Sequence, residues 1–172
     1  SGYTSEHSAY HHGEVSLENT IKNMAQDFVG SNNINYLEPI GQFGSRLQGG
    51  KDAAQSRYIF TKLNPMTRTL FNENDDILCH YLDDDGQTIE PEYYYPILPT
   101  LLINGSQGIG TGYSTKIPMY NPIDLSRYIR RRLAGDDSPI SIKPWYKGFK
   151  GMIEPTSDKT HITRGKYEIT KN

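Results

Sequence analysis

The chain has 172 residues, enough for one domain or one domain plus part of another, and a formal net charge of −2. Apolar residues make up 35% and mean hydropathy is −0.68, so thirteen tyrosines and five phenylalanines must supply much of any core. No apolar run is long enough to span a bilayer, no signal-peptide pattern opens the chain, and the single Cys79 excludes an intramolecular disulfide.

In chain order, Glu6 to Tyr10 predicts a short helix, with Gly13 in the turn after it. Leu17, Ile21, Met24, Ala25 and Phe28 recur at helical spacing, and Gly30 closes that stretch. Ile34 to Ile40 reads as a strand, Gly41 to Gly50 as a flexible glycine-rich wing, and Tyr58 to Leu63 as the returning strand. Helix, helix, strand, wing and strand is the order of a winged helix, although a helix pair with a glycine turn is a weak signal alone. Asn64-Pro65 starts a helix that ends near Phe71. Cys79 reads as a small core residue, since a lone thiol has no metal-ligand spacing.

Asp85-Gly86 is a hairpin signal between Cys79–Leu82 and Thr88–Tyr94. The triple aspartate Asp83 to Asp85 lacks the ligand spacing of an EF-hand and reads as an exposed turn. Pro96 to Ile103 reads as an apolar strand leading into a glycine-rich loop, Asn104 to Gly112. That loop has no lysine and hydroxyl residue after its glycines, so it is not a P-loop, and the third glycine of a dinucleotide fingerprint is missing. Its glycines instead allow close approach to a ligand and aim Ile109 outward. Asn121 caps a helix with Pro122 at its first position, Leu125, Tyr128, Ile129 and Leu133 on its buried stripe, and Gly135 at its stop. Beyond Ser138, Trp145, Phe149, Ile153, Ile162, Tyr167 and Ile169 read as short strands, and Lys171-Asn172 ends the chain without a closing signal.

A net charge of −2 argues weakly against a nucleic-acid partner until the charges are located. Residues 41 to 70 carry Arg46, Lys51, Arg57, Lys62 and Arg68 against Asp52 alone. Residues 71 to 95 carry Glu73, Asp75, Asp76, Asp83, Asp84, Asp85, Glu90 and Glu92 with no lysine or arginine. Arg127, Arg130, Arg131 and Arg132, with Lys143, Lys147 and Lys150, are basic again. Phosphate binding follows local cation density, so the first block suits DNA and the acidic block is expected to face solvent or another part of the protein, away from it. Blocks of this kind are otherwise solvated faces.

The first basic block contains the adjacent pair Arg57-Tyr58. A phenol that attacks a phosphodiester needs a fixed cation nearby, because charge builds on the phosphoryl oxygens in the transition state. Arg57 offers a permanently charged planar fork, and Tyr58 a covalent nucleophile. The bland alternative is a half-buried strand tyrosine, and an Arg-Tyr pair by itself does not decide between them.

Four further segments stand in order around that pair: Tyr10-His11-His12-Gly13-Glu14, Phe28-Val29-Gly30-Ser31-Asn32-Asn33, Gly41-Gln42-Phe43-Gly44 and Gly49-Gly50-Lys51-Asp52-Ala53-Ala54. Glu90-Pro91-Glu92 and Asn104-Gly105-Ser106-Gln107-Gly108-Ile109-Gly110-Thr111-Gly112 follow. From Ser5 to about Pro155 the sequence closely resembles the DNA breakage-reunion core of type IIA DNA topoisomerases. The paired histidines and the Gly-Lys-Asp-Ala-Ala run resemble the eukaryotic or large-DNA-virus branch.

The resemblance implies a mixed α/β (α+β) fold: a winged-helix DNA-cleavage domain over residues 1–98, then the N-terminal part of an α/β tower domain over 99–172. It implies an ATP-dependent homodimer acting on double-stranded DNA, with no membrane role. A tyrosine at Tyr58 becomes linked to the 5′ end of a broken strand, and an arginine at Arg57 stabilises the transition state. Ile109 matches a residue that wedges between base pairs. Tyr10 and Ser16 match DNA-backbone contacts, and His11 and His12 are expected beside the scissile phosphate. Arg46 and Lys51 are expected phosphate contacts. Mg2+ and ATP belong to preceding domains of the family, so no metal ligand is expected here. A start at Ser1 and an abrupt end give the expectation of a piece of a larger enzyme with its tower cut short. The compartment implied is the nucleus for a cellular source, or host cytoplasm or virion for a viral one. Two rival readings are a winged-helix module that holds DNA without cutting it, and a dimerisation scaffold; the Arg57-Tyr58 pair and the wedge segment disfavour the first, and a DNA adduct would exclude the second.

Overall fold

Short helices and two-stranded hairpins make up the computed structural model, which describes residues 1–157 and 160–170. The chain divides into two compact units, Ser1–Leu98 and Pro99–Asn172. The architecture is mixed α and β, as the sequence implies.

In the first unit, helix α1 is Gly2–His7, earlier than the expected Glu6 to Tyr10. Ala9 takes a left-handed φ of 46°, which stops the helix before Tyr10. Helix α2 is Glu14–Ala25 and does not reach Phe28. The reason lies outside the helix: the Asn32 amide donates to the carbonyls of Asn23 (2.7 Å) and Gln26 (2.8 Å), meeting end groups that another helical turn would otherwise use. Strand β1 (Leu37–Ile40) pairs antiparallel with β2 (Phe60–Leu63), with Leu37 opposite Leu63 and Ile40 opposite Phe60. Both strands are shorter than the periodicity predicts.

Helix α3 (Pro65–Leu70) starts where expected, because the Asn64 side chain accepts from the Met66 N–H and proline occupies the first turn. Strands β3 (Tyr81–Asp84) and β4 (Gln87–Pro91) form the acidic hairpin. Asp85 (φ 50°) and Gly86 (φ 85°) are both left-handed, the turn an Asp-Gly pair favours. Cys79 is only half-buried, with its thiol 3.6 Å from the Asp75 carbonyl, so it is not a core residue.

The core of this unit gathers Ala25, Phe43 and Ile59, with Leu37 and Ala54 against them. Burying a phenylalanine such as Phe43 contributes about 2–3 kcal/mol, and it anchors the glycine-rich segment between β1 and β2. That segment is held, not loose. The Gly50 N–H donates to the Ser45 carbonyl (2.9 Å), the Ala54 N–H to the Gln42 carbonyl (2.9 Å), and the Gln26 amide to the Phe43 carbonyl (3.0 Å). The Ser45 N–H donates to Asp52 (2.8 Å), and that bond holds the Asp52 carboxyl below its usual pKa.

Gly44 has φ 103°, and a β-carbon placed there would lie 2.5 Å from the Gly50 α-carbon. Gly44→Ala is therefore expected to lose about 2–4 kcal/mol of stability, from backbone strain and a clash that no side chain can relieve. Gly2→Ala, with open space around it, should stay within about 0.5 kcal/mol. Urea unfolding midpoints of the two variants check the contrast; equal midpoints would refute it.

In the second unit, helix α4 is Thr100–Asn104, where the sequence reads as a strand. A short apolar run cannot be told from a strand by periodicity. Here the Ile103 N–H closes onto the Pro99 carbonyl (3.2 Å), and Ile103 is fully buried. Strands β5 (Ser106–Gly110) and β6 (Tyr113–Ile117) form a regular hairpin. Helix α5 (Pro122–Leu133) is capped by Asn121, whose side chain accepts from the Ile123 N–H (2.9 Å). It ends as predicted, with Gly135 at φ 81° and the Asp136 N–H reaching back to the Arg131 carbonyl. Leu125 is buried, but Leu133 is 83% exposed and does not belong to the buried stripe. Strands β7 (Met152–Ser157) and β8 (Thr160–Arg164) contain Ile153 and Ile162. Trp145, Phe149, Tyr167 and Ile169 lie outside strands, and Lys171 and Asn172 lie outside the described residues. No helix is long and apolar enough to cross a membrane among the described residues.

Candidate active site

Tyr58 is not a strand residue. It ends a single turn of 3-10 helix, Ser56–Tyr58, and β2 begins only at Phe60. The next residue, Ile59, is drawn into the cluster of Ala25 and Phe43, and this anchors the C-terminal end of the turn. Tyr58 is 66% exposed, which removes the half-buried reading. The guanidinium of Arg57 lies over the Tyr58 ring, 5.0 Å from its centroid, and both side chains are open to an incoming phosphodiester.

The turn is pinned at several points. On its N-terminal side Ala54 bonds to Gln42, and on its C-terminal side Ile59 is buried. At its first residue the Ser56 hydroxyl donates to Glu18 Oε2 of α2, at 2.6 Å. A groove of about 420 Å3 lies beside the turn, with Glu18, Lys22, Ser56, Arg57 and Thr61 among its lining residues. Sequence reasoning does not find Glu18, because no local pattern links residues that stand 38 positions apart.

The other candidate residues divide. Arg46 is exposed, yet one guanidinium nitrogen already donates to the Val29 carbonyl (2.8 Å), closing the segment onto the Gly30 turn. Lys51 is exposed. Tyr10 is half-buried, and its ring meets that of His12 edge-on, centroids 5.5 Å apart. His11 Nε2 lies 3.9 Å from Asp84 Oδ2. The tip of the acidic hairpin is thus brought near the histidine motif, another part of the same unit. Ser16 is exposed in the first turn of α2; its N–H is taken by the Gly13 carbonyl (3.0 Å), so its hydroxyl is the group that can meet a phosphate.

Ile109 belongs to the second unit. It stands in β5 opposite Ser114 and is 83% exposed, so the expected loop is a hairpin whose tip is Thr111-Gly112. Gly110 leaves space that the Tyr113 ring fills: a β-carbon at Gly110 would come within 2.9 Å of it. In the second basic block, three of the four arginines of α5 are matched by acids. Arg127 pairs with Asp124 (3.3 Å), Arg131 Nε with Asp136 (2.7 Å) and Arg132 with Asp137 (3.4 Å). The Ser138 hydroxyl and then Arg131 hold the Asp136 carboxyl down to about 2. This helix offers less free positive charge than its sequence suggests.

No group of three or more His, Cys, Asp or Glu side chains that could hold a metal occurs among the described residues. The described residues therefore do not fit a magnesium site.

The sequence model of the DNA gyrase/topoisomerase IV A-subunit family matches residues 1–172. The chain is 58% identical over 171 residues to DNA topoisomerase 2 of Arabidopsis thaliana, covering 97% of this chain and 12% of the relative. It is 56% identical over 165 residues to a Dictyostelium discoideum protein named DNA topoisomerase 2, mitochondrial, covering 96% of this chain and 13% of the relative. A crystal structure of the Plasmodium falciparum topoisomerase II DNA-binding, cleavage and re-ligation domain matches with a TM-score of 0.89 at 59% identity, over 94% of this chain and 22% of that one. The chain therefore spans about an eighth of the length of these curated relatives.

Proposed function

The chain belongs to the DNA gyrase/topoisomerase IV A-subunit family, as part of the type IIA breakage-reunion core, and from that membership we propose that the protein carrying it is an ATP-dependent type II DNA topoisomerase. Tyr58 is its nucleophile. The phenolic oxygen bonds to a backbone phosphorus as the bond to the 3′ oxygen breaks, leaving a 5′-phosphotyrosine link and a free 3′ hydroxyl. Arg57 stabilises the charge that builds on the phosphoryl oxygens. Two copies of the chain in a homodimer cut the two strands, a second duplex passes, and the reverse attack reseals the gate.

In this reading α1, α2, β1 and β2 form the winged helix, and residues from Pro99 begin the tower. Tyr10, His11, His12, Ser16, Arg46 and Lys51 contact DNA. Magnesium and ATP are held by other parts of the protein. The compartment is one that holds cellular DNA, the nucleus or a mitochondrion. The observation that carries the reading is the exposed Arg57-Tyr58 turn, fixed from both sides on a buried core. Its test is to trap the DNA adduct of the full-length protein and map the linked residue by mass spectrometry. A link to any residue other than Tyr58 overturns it.

Ile109 serves in this scheme as an apolar wedge. An isoleucine 83% exposed between two glycines gains nothing from the core of its own unit, whereas insertion between base pairs buries it and kinks the duplex, at a cost of a few kcal/mol per step for unstacking. Ile109→Ala in the full-length protein should reduce both the bend and the rate of cleavage. Energy transfer across an end-labelled duplex measures the bend, and an unchanged angle would remove Ile109 from this role.

A further inference from the structure

We propose that Glu18 is a positioning residue for the cleavage step, acting through Ser56 on the turn that carries Arg57 and Tyr58. The inference rests on the reading of Tyr58 as the nucleophile and adds to it a residue from a different element. The turn is one 3-10 turn long, with the Tyr58 N–H bonded to the Gln55 carbonyl (2.9 Å) and the Ile59 N–H to the Ser56 carbonyl (3.3 Å). So short a turn has little rigidity of its own. Burial of Ile59 fixes where the chain enters β2, but not how the preceding turn is rotated about it.

The Ser56 hydroxyl supplies that constraint. Its bond to Glu18 Oε2 is short, 2.6 Å, and both residues are partly buried, so water competes for it poorly. A carboxylate acceptor makes it stronger than a bond between neutral groups. Glu18 itself sits in the second turn of α2, whose Ala25 is fully buried in the core that also holds Ile59. The carboxylate thus refers the turn to the helix, and the helix is in turn fixed to the core. Ser16, the candidate phosphate contact, stands on the same helix two residues earlier. One helix therefore meets the DNA backbone and also orients the residue pair that attacks it. Glu18 touches neither Arg57 nor Tyr58 in this arrangement by hydrogen bond; it acts through Ser56.

The test uses the full-length protein. Glu18→Ala and Ser56→Ala should each slow adduct formation at saturating DNA by about tenfold to a hundredfold, the scale of a displacement near 1 Å. Half-saturation for DNA and the thermal midpoint should stay near wild type. The double variant should be no slower than the slower single one, because both remove one bond. Ser56→Thr, which keeps the hydroxyl, should recover most of the rate. Tyr58→Phe runs alongside. If it still forms an adduct, the assignment of the nucleophile fails. If it forms none while Glu18→Ala cleaves at the wild-type rate, the nucleophile stands and the role of Glu18 falls. A slower Glu18→Ala accompanied by an equal loss of DNA affinity or of folding would also overturn the positioning role.

Discussion

Tyr58→Phe in the full-length protein is expected to form no covalent adduct with DNA and to leave supercoiled plasmid unrelaxed, while binding duplex DNA nearly as well as wild type. Only one oxygen is removed, and it is the atom that must bond to phosphorus. The ring remains to stack under Arg57, so the local packing seen at 5.0 Å survives the change. The phenol is 66% exposed and contributes little to stability, which separates this loss from a folding defect. Denaturing gels after a detergent quench read the adduct directly. Wild-type adduct levels in the variant would end the assignment, and loss of DNA binding would move Tyr58 from chemistry to recognition.

Arg57→Lys should reduce cleavage by about a hundredfold or more, a large effect for a substitution that keeps the charge. The guanidinium can meet two phosphoryl oxygens at once in a fixed plane, whereas an ammonium on a flexible stem acts as a point charge. Lysine also loses part of the face-on contact with the Tyr58 ring, so the nucleophile is less well oriented. Arg57→Ala should be slower still, approaching a thousandfold. Single-turnover cleavage with saturating DNA separates these effects from binding. Near-normal rates in Arg57→Lys would show that Arg57 acts only as surface charge.

Local chemistry was readable wherever a local rule suffices. Asn64-Pro65 and Asn121-Pro122 start helices because an asparagine side chain and a proline meet the needs of a first turn within three residues. Asp85-Gly86 turns a hairpin because both residues tolerate left-handed backbone. The ordered motifs around Arg57-Tyr58 were enough to identify the family, and the adjacency of a fixed cation and a phenol needs no structure to see. What the sequence could not disclose depends on partners far along the chain. The helix through Leu17 stops at Ala25 because Asn32 takes its end carbonyls. The glycine-rich segment is ordered because Phe43 is buried and Gln26 and Asp52 hold its backbone. Leu133 has the right spacing for the buried stripe and lies exposed, since a period names a face but not how far the neighbouring element extends along it. Tyr58 has the alternation of a strand, yet burial of Ile59 and the bond from Ser56 to Glu18 turn it outward in a 3-10 turn. The sequence by itself determined which family the chain resembles, and through that resemblance which side chains are assigned the proposed chemistry, because ordered motifs of fixed residue type can be read without any knowledge of packing. Only the tertiary structure decided that Arg57 and Tyr58 face solvent on a pinned turn, because that orientation comes from packing between residues the sequence keeps apart.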